Sequence, residues 1–149
     1  MITIILYQPE IPQNTGNIIR TCVALDASLA LVRPLGFLTS SRMLKRAGID
    51  YARKTLFEEI DNLEDYLDKK RLKPYFFSSK AKKSYTDISY PPNTALVFGS
   101  ETKGLPLKYF EKWEESFVTI PMDPSCRCLN LSNACAIAGY EVRRQWNFS

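Results

Sequence analysis

Histidine is missing from all 149 residues, and this absence closes off more chemistry than any other feature of the composition. It excludes Ser-His-Asp and Cys-His nucleophiles, an imidazole general base and a His-ligated catalytic metal. Cysteine is scarce, at four residues (Cys22, Cys126, Cys128, Cys135). Cys126-x-Cys128 has no second pair at zinc-site spacing, so reduced thiols and no metal are expected. No uncharged apolar run reaches the roughly 18 residues that a membrane span needs. The apolar opening, residues 1–7, lacks a basic flank and runs straight into Gln8, Pro9 and Glu10. A first strand is expected there rather than a secretion signal, and with it a cytoplasmic location. Glycine is limited to 6 residues, and no repeat, low-complexity tract or Gly/Ser linker marks a boundary.

What remains is the composition of one ordinary folded domain spanning residues 1–149, with 45% hydrophobic and 24% charged residues. Such a chain buries roughly two thirds of its unfolded surface and needs no disulfide or metal to fold. Apolar, β-branched runs at 2–6 and 29–32 flank a segment, 14–25, with helical spacing at Ile18, Ile19, Cys22 and Leu25, for which Asn14 or Thr15 is the expected N-cap. A short helix is expected from Ser40 or Ser41 to Gly48, and another after Asp61 with Leu63, Tyr66 and Leu67 on one face. Residues 75–77, 95–98 and 117–120 read as short buried strands. Between the last two, Pro106 begins a helix carrying Leu107, Phe110 and Trp113, and a final helix runs from about Asn130 to Trp146. Alternating strands and helices predict an α/β fold with a mostly parallel sheet and helices on both faces.

Charge is uneven. Residues 58–68 hold six acids and no base, 69–83 hold seven bases and no acid, and Arg42, Lys45, Arg46, Arg53 and Lys54 form a second basic stretch. Lys and Arg beside Tyr51, Tyr75, Phe76 and Tyr85 suit an RNA phosphate backbone with some stacking, or equally a solvated helix face.

In α/β sheets ligands bind beyond the carboxyl ends of the strands, and three loops there stand out. Asn14-Thr-Gly-Asn-Ile-Ile-Arg20 opens the first helix. Gly99-Ser-Glu-Thr-Lys-Gly104-Leu-Pro106 follows the strand at 95–98 and invites a phosphate-loop reading. That reading fails, because Leu105 and Pro106 stand where a Walker motif requires Lys and Ser or Thr. The third loop runs from Ile120-Pro-Met122 through Arg127-Cys-Leu-Asn-Leu-Ser-Asn-Ala134, where Asn130, Ser132 and Asn133 can each cap the last helix.

Together these loops resemble the three motifs of the SPOUT methyltransferases. Order, spacing and length are similar to the smallest members, the tRNA wobble-nucleotide (cytidine/uridine) ribose 2'-O-methyltransferases. Tyr7-Gln-Pro-Glu-Ile-Pro, Arg46-Ala-Gly-Ile-Asp-Tyr51 and Tyr140-Glu141 extend the likeness over nearly the whole chain. The resemblance implies a C-terminal deep trefoil knot, a homodimer, and S-adenosyl-L-methionine bound in the knot, with S-adenosyl-L-homocysteine as product. By positional matching it implies that Phe77, Gly99, Ile120, Cys128 and Leu129 line the cofactor pocket, Gly99 by letting the ligand approach the main chain. Where the family tends to carry serine this chain has Cys128, a weaker hydrogen-bond donor.

The resemblance further implies that Arg20 acts at the ribose 2'-oxygen. A guanidinium with a pKa above about 12 stays charged, so Arg20 is expected to orient the hydroxyl and stabilise negative charge while water or a phosphate accepts the proton. Asn14, the second catalytic candidate, and Asn17 are expected to order that loop, and Ser132 or Asn133 to touch RNA or cap the helix. Lys103 and Arg127 are candidate RNA phosphate contacts, and Tyr140 is a candidate stacking or dimer residue. The expected partner is tRNA, not DNA or a membrane. The apolar side of the final helix is expected to be buried against a second copy. Two other readings stay open: a ribose methyltransferase acting on another RNA such as rRNA, and a catalytically silent RNA-binding module.

Overall fold

Parallel strands covered on both faces are apolar at consecutive positions, and the strands here follow that rule. The computed structural model describes residues 1–40, 42 and 57–149. In chain order the elements are β1 (Thr3–Tyr7), α1 (Pro12–Leu25), β2 (Ser28–Val32), β3 (Glu58–Ile60), α2 (Leu63–Lys70), β4 (Lys73–Phe77), β5 (Thr94–Phe98), α3 (Leu107–Lys112), β6 (Phe117–Val118) and α4 (Leu131–Gln145). The described strands form one six-stranded sheet in the order β3-β2-β1-β5-β4-β6, with every pairing parallel. The helix expected at 40–48, the Arg46-to-Tyr51 motif and the basic residues Lys45, Arg53 and Lys54 lie outside the described residues, Ser40 and Arg42 apart.

Side-chain alternation divides the core in two. On one face Ile4, Leu6, Leu29, Leu31, Leu96 and Phe98 meet Ile18, Ile19, Cys22 and Leu25 of α1 and Cys135, Ala138 and Val142 of α4. On the other, Ile5, Ala30, Val32, Phe76 and Val97 meet Leu63, Tyr66 and Leu67 of α2 and Tyr109 of α3. Helices therefore cover both faces of the sheet, as the strand and helix pattern predicts. On the first face α1 and α4 approach so closely that a Cβ built on Gly139 would lie 2.3 Å from Leu25 Cδ1. The apolar side of the final helix is thus buried inside its own chain. This corrects the expectation that it serves a second copy, for which only the outward Ile137 and Tyr140 remain.

Four local expectations change. Helix α1 starts at Pro12 with Ile11 at the N-cap and no side-chain cap; Asn14 and Thr15 are buried within its first turns. The cap comes instead from a distant carboxylate, described below. Strand β3 was not expected, since Glu58 and Glu59 have low strand preference; charge is tolerated on a short edge strand. It is held partly by Arg33, which bonds Glu59 at 3.1 Å and Asp61 at 2.8 Å. In α3 the buried residue is Tyr109, whereas Leu107 and Phe110 face outward, because Tyr109 stacks over Phe76 at 6.0 Å. Finally, β6 ends at Val118. Thr119 instead forms an isolated bridge with Ser84, and Ile120 lies in the following loop.

Candidate active site

Strand order reverses at β1, so the loops leaving β1 and β5 diverge at the carboxyl edge of the sheet and leave a crevice there. A cavity of about 560 Å³ occupies this edge, within the range of small-molecule sites. Its walls come from all three motif loops and from the loop after β4: Asn14 from α1, Phe77 to Lys80 after β4, Phe98 to Leu105 after β5, and Ile120, Met122 and Arg127 to Leu131 before α4. Every residue expected to hold the cofactor, Phe77, Gly99, Ile120, Cys128 and Leu129, lines it, as do Asn14, Lys103 and Arg127.

Arg20 and Tyr140 do not. Arg20 is exposed on α1 and absent from the cavity wall. Six residues after Asn14, it sits about 9 Å further along the helix axis and roughly 240° around it, on a different face. Tyr140 is exposed on α4. The structure therefore brings eight of the ten expected site residues together and leaves Arg20 and Tyr140 off the cavity wall.

The cavity's chemistry follows from how its walls are held. Phe77 and Phe98, at the ends of adjacent strands, stack with centroids 4.7 Å apart and give it an apolar floor. Asn130 caps α4 as expected, its Oδ1 accepting from Ser132 N at 2.9 Å and Asn133 N at 3.3 Å. Asn130 Nδ2 donates to Asn14 Oδ1 at 3.0 Å, tying the first motif to the third. Ser132 is buried beside this cap, its Oγ donating to Asn130 Oδ1 at 2.6 Å, so its hydroxyl braces the capping side chain. Asn17 is exposed on α1.

Gly99 is required by the packing of its own loop. A Cβ there would lie 2.3 Å from Gly104 C, 2.5 Å from Leu105 N and 2.6 Å from Gly104 Cα. The loop after β5 folds back on its own start, through a bridge between Ser100 and Gly104 and a Gly104 φ of 65°, a conformation that favours glycine. The protein's own backbone occupies the space that the missing side chain leaves.

Polar groups at the cavity are mixed in sign. Lys80, Lys103 and Arg127 stand exposed at its rim. Glu101, in the wall, is partly buried, and that burial raises its carboxyl above the usual range, opposed by N–H groups of Glu10 and Ile11. Glu10 lies lower than usual because it accepts from the Thr102 hydroxyl. All four cysteines are free: Cys126 and Cys128 exposed, Cys22 and Cys135 buried. Burial pushes the Cys22 thiol up to about 12 and raises Cys135 well above its usual value.

The sequence names Glu101 and Met122 only as members of their loops, with no role of their own, and does not single out the residues after β4. The loop rule that found the other three segments also covers Ser78, Ser79 and Lys80. Glu101 has no local signal, because its partners lie 91 and 90 positions upstream.

The fold and this crevice define an α/β protein with a small-molecule site at the carboxyl edge of a parallel sheet. The SpoU rRNA Methylase family matches residues 1–140, and this chain belongs to that family of methyltransferases. Relatives share 37–48% identity over nearly the whole chain. A Methylovorus glucosotrophus (strain SIP3-4) protein named tRNA (cytidine(34)-2'-O)-methyltransferase is 40% identical, covering 100% of this chain and 98% of its own. A solved structure described as giving insights into the 2-OH methylation of C/U34 on tRNA superposes with a TM-score of 0.91 at 38% identity, covering 100% of this chain and 98% of that one. An AdoMet-bound rRNA methyltransferase from Sinorhizobium meliloti matches with a TM-score of 0.83 at 26% identity, over 96% of this chain and 56% of its own. The fold is thus the SPOUT fold that the three motifs imply.

Proposed function

We propose that this chain is an S-adenosyl-L-methionine-dependent tRNA 2'-O-methyltransferase acting on the ribose of the wobble nucleotide, cytidine or modified uridine 34. The observation that carries this reading is the convergence of three separate motif loops on one cavity at the carboxyl ends of β4, β5 and β6. Relatives named for tRNA cytidine-34 methylation support the substrate, and AdoMet-bound neighbours support the donor. The donor set fits: Phe77, Phe98, Ile120 and Leu129 offer apolar walls, and the loop at 99–105 offers main-chain polar groups. Bound there, the donor supplies a methyl group on a cationic sulfur that leaves as a neutral thioether.

The chain's own task is to hold a ribose hydroxyl in line with that methyl and to stabilise the charge its oxygen develops. Orientation supplies several kcal/mol, and one donor aimed at a developing oxyanion roughly 3 more. Arg20 is the donor we assign. As the hydroxyl oxygen bonds the methyl carbon, its proton passes to water or a neighbouring phosphate, and the guanidinium remains protonated. Because Arg20 is exposed and does not line its own cavity, we place it at the cavity of a second subunit, in a homodimer. Exposed Val23 on α1 and Ile137 and Tyr140 on α4 supply apolar surface for such an isologous contact. Lys80, Lys103 and Arg127 hold the RNA backbone at the rim.

The test is methylation of total tRNA from a strain lacking the protein, using labelled donor and mapping the product. Label on the ribose at position 34 is expected. Label on a base, or in rRNA rather than tRNA, overturns the reading. So does full activity in Arg20→Ala.

A further inference from the structure

The turn before α1 and the loop after β5 exchange carboxylates. Glu101 accepts the Glu10 N–H at 3.2 and 2.9 Å on its two oxygens and the Ile11 N–H at 2.6 Å. Glu10 accepts in return from Thr102, whose hydroxyl donates at 2.7 and 2.9 Å and whose N–H donates at 3.3 Å. Two acids on segments about 90 positions apart thus each hold the other's strand-to-helix turn.

A cap of this kind has a structural cost that a local one avoids. The N-cap position holds Ile11, which offers no side-chain acceptor, and Pro12 occupies the first helical position. A Ser or Asp at residue 11 would accept only from N–H groups further into the first turn, whereas Glu101 takes the N–H groups of Glu10 and of Ile11 itself. Here the capping oxygen sits on the cavity wall instead, since Glu101 and Thr102 both line the cavity. The direction and depth of α1 are therefore set by the loop that forms the donor site. The same helix carries Asn14, hydrogen-bonded to the cap of α4, and Arg20. Gly36 completes the arrangement: a Cβ there would lie 2.8 Å from Glu10 Cα, so the turn bearing Glu10 is backed by main chain and cannot drift outward.

We infer that Glu101 is a positioning residue for methyl transfer: it locks the start of α1 to the cavity loop so that Asn14 and Arg20 are delivered in register with the donor, and Glu10 with Thr102 closes the same contact from the other side. This rests on the reading of Arg20 as the group at the ribose oxygen. Glu101 contributes no proton transfer and no contact to the RNA. It acts through the helix dipole and the N–H groups it engages, and misplacing a reactive group by about 1 Å can cost about 100-fold in rate.

The test uses the full chain and its tRNA substrate with Glu101→Gln and, as a milder probe, Thr102→Val. Donor affinity is measured by calorimetry, tRNA affinity by filter binding, and chemistry by single-turnover methylation. For Glu101→Gln, donor and tRNA dissociation constants within about threefold of wild type are expected with a methylation rate at least about 30-fold lower. For Thr102→Val the expected loss is about three- to tenfold. In the wild type the Ile11 amide resonance should titrate with its midpoint above 4.5, the usual carboxylate value from which Glu101 is raised, and Glu101→Gln should abolish that titration. A direct role of Glu101 in proton transfer would leave the Thr102→Val rate unchanged. The inference is overturned by an unperturbed rate in Glu101→Gln, by a rate loss fully matched by lost donor affinity, or by an Ile11 amide that does not titrate. Should Glu101→Gln fail to fold, Thr102→Val decides alone. A wild type that methylates no RNA defeats the functional reading, whereas a methylating wild type with a full-rate Glu101→Gln defeats only the positioning role.

Discussion

Replacing Gly99 by alanine separates two explanations of the same residue. If the glycine served only to let a donor approach the main chain, Gly99→Ala would leave the free protein's stability unchanged and weaken donor binding alone. The structure predicts otherwise, because the added methyl meets three backbone atoms of Gly104 and Leu105 at 2.3 to 2.6 Å. Backbone cannot rotate away as a side-chain tip can. Overpacking costs about 1–3 kcal/mol, and three simultaneous main-chain contacts put this site near the upper end, about 3 kcal/mol. For a domain of this size each kcal/mol lowers the melting temperature by about 2–4 °C, so a fall of about 6–12 °C is expected without any ligand present. Thermal unfolding followed by circular dichroism measures it, and calorimetry with S-adenosyl-L-methionine should show at least about tenfold weaker binding, since Gly104 and Leu105 are themselves part of the cavity wall. A ligand-free melting temperature within about 2 °C of wild type would refute the steric account.

The comparison substitution is Gly139→Ala, whose methyl meets only the tip of Leu25; it should cost less than Gly99→Ala, about 1 kcal/mol, and leave donor affinity intact. Asn14→Ala and Asn130→Ala break the link between the first and third motifs. A double-mutant cycle by chemical denaturation should return a coupling of about 0.5–1.5 kcal/mol, with Asn130→Ala the more damaging single change because it also removes the cap of α4. A thiol reagent at pH 8 should modify Cys126 and Cys128 in the native protein and reach Cys22 and Cys135 only on unfolding, since burial holds the latter two protonated and covered; saturating donor should slow modification of the cavity residue Cys128. Lys80→Glu should weaken tRNA binding and reduce its salt slope by about 1 or more while leaving donor affinity within about twofold; an unchanged slope would remove Lys80 from the RNA surface.

Seven bases between residues 69 and 83 look like one patch in sequence, and the fold divides them. Strand β4 carries Lys73 at one end and leads to Lys80, Lys82 and Lys83 beyond the other. At about 3.3 Å per residue the strand separates the groups by more than 13 Å. Only the second group lies at the edge that holds the cavity, and in the first Lys70 lies 3.8 Å from Glu58. Composition records how many charges there are, and the strand direction decides which of them can face one ligand.

The same distinction explains what was legible in the site. Phe77, Gly99, Ile120, Cys128 and Leu129 come together at one cavity because each sits at or beyond the carboxyl end of a strand, and strand positions follow from local apolar runs that one sequence displays. The start of α1 was misplaced because its cap is Glu101 and not a neighbour; a carboxylate about 90 positions away leaves no trace in local spacing. The steric need for Gly99 is hidden for a similar reason, since the atoms that exclude its side chain belong to a loop conformation that its Gly-rich sequence permits without fixing. Arg20 marks the last boundary. Its spacing from Asn14 was readable, and helix geometry alone turns that spacing into a different face. Arg20 is exposed and lies off the wall of its own chain's cavity, so the catalytic role proposed for it requires a second copy. Mixing an Arg20→Ala subunit with a subunit carrying Gly99→Ala should therefore restore methylation at one of the two sites, which a site made within one subunit cannot do.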